Sequence, residues 1–492
     1  MIVELVAILA LFVGGCALLR GAGLSGWGLL PLGFIAGLCL ELIIGSLQIV
    51  LLLPTYPVIT LILTAGLPLV WWAWRLRRGA DVGLPIGWLA LTLVGLGGAV
   101  WLLSIANLVK HHTDSIYYLM PAWLLADNSY RTEASAELVF TRLFGAALMH
   151  APADIASPSQ YLRSVTPLLA AATLGAVVWL FARGVEGRIP RSRLVLFGAL
   201  GAVLLLSTNR FIYHAFYLNG HLLFATLLLV IAGAGWLRVR TAPLSWLQLL
   251  AIPALIVTRP EGFLVAGLAL LPTLLSARIP RRHRARALAV YGVSCLALHA
   301  FLGWVHLDRG LPVSGQVVGG FVVGVAALAA VRFLGAPALL GRSRLVLLAV
   351  EGMIWLGLIA FVAWRPSTAW YSARATYINF MEGVGLWGYS AVVLGLLVVA
   401  ALVLFGFRDQ VHLRYPLTTF VPLALLLAYL REGGYRTSQV DSLVRMVIQF
   451  VPLALLLVIA AFALSSVSRE LDEPNDEAGV VPEPVLAGGP VK

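Results

Sequence analysis

The sequence predicts an all-α, polytopic transmembrane protein of about 15 helices, with interfacial helices in its first long external loop. Three observations predict it: 61% of the 492 residues are hydrophobic, only 11% are charged, and long apolar runs recur between short stretches marked by Arg, Pro or Gly. Soluble domains lie near about 45–50% apolar and about 25% charged, so a soluble globule is excluded. At about 20 residues per crossing, roughly 300 apolar side chains suffice for roughly 15 helices.

The first run, 2–19, carries Glu4, has no basic leading region and no small-x-small site before Arg20, and reads as a retained helix rather than a cleaved signal. Runs near 27–52 and 57–74 complete three N-terminal helices within residues 1–85. A second module, 86–466, holds runs near 86–108, 162–182, 194–208, 211–236, 244–257, 262–276, 287–304, 317–333, 345–364, 388–407, 413–430 and 443–466. The remainder, 467–492, is acidic and rich in Pro and Gly, with Glu470, Asp472, Glu473, Asp476 and Glu477, and is expected to be a disordered cytoplasmic tail.

The formal charge of +12 is spread over short loops rather than one continuous face, which argues against nucleic acid as a partner. Arg75 to Arg78, Arg183 to Arg193, Arg238 to Arg240, Arg278 to Arg286, Arg332 to Arg344 and Arg408 to Arg414 fall on one side. The positive-inside rule makes that side cytoplasmic and the N-terminus external, as expected for a multi-pass protein of the plasma membrane. Most loop acids, including Asp114, Asp127, Asp154, Glu261, Asp308 and Glu382, fall on the other side. Cys16, Cys39 and Cys295 all sit inside apolar runs and form neither a disulfide framework nor a zinc motif.

Two external loops exceed simple turns. Between Val109 and Tyr161, two patterns with apolar spacings of three and four predict interfacial helices: Ile116, Leu119, Met120, Trp123 and Leu124, then Ala136, Val139, Phe140, Leu143 and Ala147. The second loop, Arg365 to Trp387, mixes arginines with Trp370, Tyr371, Tyr377 and Phe380. Loops of this kind carry function on a fixed scaffold.

Chemistry is sought where polar residues interrupt the apolar runs. Lys110-His111-His112-Thr113-Asp114-Ser115 opens the first long loop at a wet rim. Asp114 there serves either as a helix N-cap or as a general base that takes the proton of an acceptor hydroxyl. In the turn Thr258-Arg259-Pro260-Glu261-Gly262, Arg259 either pairs with Glu261 or grips a phosphate through its two-pronged guanidinium. At the start of the last run, Arg445 and Gln449 stand four residues apart, one helical turn on a shared face. Arg210, His214, Tyr217 and His221, at spacings of four, three and four, make another stripe suited to interhelical hydrogen bonds or to a substrate pocket. Glu41, with Gln48 on its face, is the deepest carboxyl and reads as a protonated group bonded to a neighbouring helix; Glu351 lies nearer the cytoplasmic boundary. His111, His112, His214 and Asp114 leave room for a divalent metal, but no ligand motif predicts one and no soluble cofactor is expected.

At these residues the chain resembles the GT-C superfamily of integral-membrane glycosyltransferases of bacterial type, which use polyprenyl-phosphate sugars on the external face. His112-Thr113-Asp114-Ser115-Ile116-Tyr117-Tyr118-Leu119 looks like the first-loop motif that carries their catalytic Asp. The Thr258 to Gly262 turn and the Leu443 to Pro452 helix start are similar to later elements of bacterial members. The resemblance spans 86–466 by topology and three short islands by residues; where many members carry two adjacent acids, Ser115 follows Asp114. It implies inverting transfer of a hexosyl or pentosyl group from a polyprenyl-phosphate donor to a glycan, lipid or protein acceptor within the cell envelope. Asp114 would be the base, and Arg259 and Arg445 would hold the donor phosphate. Lys110, His111, His112, Arg210, His214, Tyr217, Glu261 and Gln449 would line the pocket. A transporter or flippase of lipid-linked sugars, with its ionisable groups at the midplane, is the competing class. A lipid-linked polysaccharide polymerase or ligase is a third.

Overall fold

The computed structural model describes residues 2–54, 56–83, 86–109, 115, 119, 143–155, 161–334, 340–405, 410–430, 437 and 442–465. Lys110, His111, His112 and Asp114 lie outside the described residues, as do the first interfacial pattern apart from Leu119, and the acidic tail. The described chain is all-α, without strands.

Four helices open it: α1 (Ile2–Gly21), α2 (Leu29–Val50), α3 (Pro57–Arg77) and α4 (Ile86–Ala106). Proline at the first position of α3 lacks only an N–H that has no helical acceptor there. α1 and α2 approach through a small-residue seam: a Cβ on Gly15 would overlap the Gly33 carbonyl, and one on Gly37 the Leu11 carbonyl. The short α5 (Gly145–His150) runs into a 3-10 turn at Ala151–Ile155. All six residues of α5 are buried, so this end of the second predicted interfacial pattern packs inside the protein and not at a lipid–water boundary.

Next come α6 (Val165–Val185), α7 (Arg191–Leu206), α8 (Asn209–Ala215), α9 (His221–Trp236), α10 (Ala242–Ile256), α11 (Gly262–Leu274), α12 (Arg281–Asp308) and α13 (Gly315–Ala330). The chain ends with α14 (Ser343–Trp364), α15 (Pro366–Met381), α16 (Ser390–Phe405), α17 (Val411–Tyr429), α18 (Ser442–Met446), a 3-10 turn at Val447–Gln449, and α19 (Val451–Leu464). Every predicted apolar segment contains a helix. Eight described helices have the length and hydropathy of membrane spans, ten if two bent pairs are each one span, and the other five segments hold shorter apolar helices. The chain is a polytopic membrane protein.

Burial sorts the helices. Every residue of α9 from His221 to Gly235 is buried, and α6, α10, α11, α17 and α19 surround it. α13 instead buries one narrow stripe, Val317, Gly320, Gly324 and Ala327, and α14 buries Leu347, Glu351, Leu358 and Phe361. The opposite side of α14 leaves Met353, Leu356 and Ile359 exposed, an apolar surface of the kind that faces lipid. The N-terminal helices join the main core: α2 packs on α6 and α10. The Glu4 carboxylate of α1 accepts bonds from Ser104 Oγ (2.7 Å), Ser164 N (2.5 Å) and Ser164 Oγ (2.7 Å). Glu41 is buried, but its Oε2 has no hydrogen-bond partner among the described residues, in contrast to the expected bond to a neighbouring helix; Gln48 accepts one from Thr60.

Three elements differ from the sequence expectation. The run 211–236 is not one helix but breaks between α8 and α9, where Asn219-Gly220 makes a turn. The last run breaks at Phe450, ahead of Pro452, whose ring would clash with a helical carbonyl four residues back. α15 forms within the predicted loop 365–387, begun by Pro366.

Candidate functional site

Both helix breaks occur at the same end of the bundle. α8 bends 72° from α7, and α19 bends 49° from the α18 segment. The stripe Arg210, His214, Tyr217 and His221 therefore does not run along one helix: the first two residues are on α8, Tyr217 is in the turn, and His221 starts α9. The fold nevertheless gathers them. The His214 ring meets Tyr217 at 5.9 Å and His221 at 5.8 Å, edge to face in both pairs. The Asn219 side chain accepts from the backbone N–H of His221 (2.8 Å), which fixes the start of α9.

Two other segments close on His221. Arg259, in the turn between α10 and α11, places Nη1 3.4 Å from His221 Nε2 and donates from Nε to Glu261 Oε1 at 2.5 Å. These two bonds fix the plane of its guanidinium, and the pairing with Glu261 is one of the two roles expected of Arg259 in the turn. From the 3-10 turn before α19, the Gln449 amide lies 3.0 Å from His221 Nδ1. A guanidinium only donates, so Nε2 is the acceptor and, in a neutral imidazole, the hydrogen sits on Nδ1. Nδ1 would then donate, which requires the Gln449 amide to turn its oxygen toward the ring, half a turn from the placement in which its nitrogen faces Nδ1.

Arg445 on α18 completes the group: its charge acts on both Arg210 and His214. Among the described residues, three guanidinium groups thus gather with one carboxylate, Glu261. Arg210, Arg259, His214, His221 and Gln449 are all buried. The loop 365–387 supports the group from outside. Arg210 Nε donates to Gly385 O (2.6 Å), and Trp387 Nε1, fully buried, donates to Val444 O (3.1 Å) next to Arg445. Beneath the Thr258 turn lies α5, whose approach depends on Gly145, because a Cβ there would meet the Thr258 backbone at 2.7 Å.

Of the residues expected from sequence, Arg210, His214, Tyr217, Arg259, Glu261, Arg445 and Gln449 are placed at this end of the bundle; Lys110, His111, His112 and Asp114 are outside the described residues. The role of His221 as the shared partner, and those of Asn219, Gly385 and Trp387, were not legible. Only Asn219-Gly220 carried a signal, as a turn dipeptide. No group of three or more His, Cys, Asp or Glu side chains among the described residues is disposed to hold a metal ion.

A pocket of about 310 Å³ adjoins the group, with Ser207, Asn209 and Ser390 above and Leu204, Leu394 and Leu455 below. The cluster can hold an anion, and the pocket offers an apolar chain a place beside it. In comparisons with known proteins, the chain matches no family model, no curated protein and no solved structure.

Proposed function

We propose that the chain is an integral-membrane, inverting glycosyltransferase that takes a sugar from a polyprenyl-phosphate donor and acts on the extracytoplasmic face of the plasma membrane. One observation carries the reading: Arg210, Arg259 and Arg445, from three distant segments, converge with His221 and Gln449 at the helix ends. A rim position suits a lipid-borne phosphate, whose charge stays at the interface while its chain lies in the bilayer. Transport of such a lipid would place ionisable groups at the midplane.

In the proposed reaction an acceptor hydroxyl attacks the anomeric carbon, the bond from that carbon to the phosphate oxygen breaks, and polyprenyl phosphate leaves. The hydroxyl proton passes to the Asp114 carboxylate. Arg259 and Arg445 stabilise the charge that grows on the departing phosphate. Glu261 and His221, the latter held by Gln449, keep Arg259 in plane, and the acceptor is a glycan, lipid or protein.

The test is to incubate purified protein with labelled polyprenyl-phosphate sugars and a panel of membrane lipids and glycans. A new glycosidic product is expected. Asp114→Asn should lower turnover about 100-fold or more with donor binding kept, because an amide keeps the shape and capping ability while losing basicity. Movement of labelled donor across the bilayer with no glycosidic product would replace this reading with a flippase.

A further inference from the structure

The opposite end of the same helices encloses a larger space. α9, α10 and α11 have 16, 15 and 13 residues, which sets their two ends about 20–24 Å apart. Where the far ends of α6, α9, α11 and α19 meet the starts of α10, α14 and α17, they surround a cleft of about 1470 Å³. Among the described residues, seven arginines and a single carboxylate, Glu186, line it. Arg183 pairs with Glu186 at 2.7 Å, and Arg414 pairs with Glu351 at 3.0 Å.

Topology accounts for arginines in loops on this side but not for their arrangement around a cavity. Two features point to an anion. Arg344, and His412 with Arg414, stand in the first turns of α14 and α17, where the helix dipole favours negative charge and where neither helix has an acidic residue. His412 also lines the cleft, and its Nε2 is buried with no hydrogen-bond partner among the described residues. Between the arginines the wall is apolar, formed by Leu244, Leu275, Leu347, Leu348 and Leu464, and Trp179 and Trp236 stand among the basic side chains. A soluble phosphate would gain nothing from that wall, whereas a lipid would place its chain on it. The volume exceeds that of a typical small-ligand pocket of about 300–1,000 Å³ and accommodates a headgroup with the first part of its chains.

We infer that this cleft binds the phosphate headgroup of an anionic lipid from the leaflet opposite the candidate active site. The arginines hold the phosphate oxygens, and the leucine wall takes the glycerol-proximal chains.

Full-length protein, purified and stripped of lipid, is titrated with dioleoylphosphatidylglycerol, dioleoylphosphatidylcholine and inorganic phosphate, and bound lipid is counted by native mass spectrometry. Phosphatidylglycerol is expected to bind about tenfold or more tightly than phosphatidylcholine, and inorganic phosphate at equal concentration should not displace it. The exposed side chains Arg240, Arg278 and Arg344 are changed together to Ser, which should abolish the preference with an unchanged melting transition. The corresponding triple Arg→Lys variant, which keeps the charge, should retain most of the preference and guards against a folding defect in the Ser form. Equal binding of the two lipids, a preference that survives the Ser substitutions, or displacement by inorganic phosphate would each overturn the inference.

Discussion

Replacing Gln449 with leucine removes the buried bond between its amide and the His221 ring. The cost is about 1–3 kcal/mol, and a lower melting temperature of the purified protein would register it. Gln449→Glu restores an acceptor and should recover most of the loss; equal melting of all three forms would contradict the tautomer assignment. Arg445 tests the phosphate role. Arg445→Ala should weaken donor binding by about 1.5–3 kcal/mol, roughly 10- to 150-fold, and Arg445→Lys less, because it keeps charge but not the planar fork. Acceptor affinity should hardly change. An Ala variant that binds donor normally but acceptor poorly would put Arg445 on the wrong side of the reaction. At this scale the sequence displayed the members of the cluster, because Arg, His and Gln interrupt apolar runs. It did not display their meeting: His221 and Gln449 are 228 positions apart, and their contact depends on how helices pack.

Among the elements, the α1–α2 seam gives the sharpest test. Its glycines face backbone oxygens, which cannot swing aside as a side chain tip can. Gly37→Ala should therefore force the two helices apart and cost about 1–3 kcal/mol. Gly66→Ala, on α3 where an added Cβ meets open space, should leave the melting temperature within measurement error or slightly higher. A Gly37→Ala protein as stable as the parent would mean that the seam is looser than described. The same scale shows why continuous helices were expected where the chain breaks. Asn219-Gly220 and Pro452 were visible, but apolar periodicity on both sides outweighed a single turn signal, and only the clustering at His221 shows what the breaks accomplish.

For the whole molecule, orientation is the property most open to measurement. Cys16, Cys39 and Cys295 are all buried, so a thiol introduced at the surface reports with little background. Tyr389, beside the pocket at the site end, is 86% exposed, and Ser192 is exposed at the start of α7 on the other end. A membrane-impermeant thiol reagent should label Tyr389→Cys in intact cells and Ser192→Cys only after permeabilisation. The reverse pattern would invert the protein and remove the extracytoplasmic reaction. That fifteen apolar segments recur as helices was legible because lipid demands apolar length from each one. The depth of each segment in the bundle was not legible, since α9 and α14 are both strongly apolar, one enclosed and the other largely exposed.

The short helices at the centre have a consequence for the membrane itself. A hydrocarbon layer is about 30 Å thick, so helices of about 20–24 Å are mismatched to it. Trp246 on α10 and Leu264 on α11 are partly exposed, which brings that mismatch to the protein's outer surface. Lipids bordering these helices would have to thin or tilt to cover them, which would dimple the bilayer beside the two arginine-rich ends. A long-chain carrier lipid would then approach the cluster through a slope in the membrane surface, its phosphate lowered toward Arg259 and Arg445 by the shape of the bilayer before any contact is made.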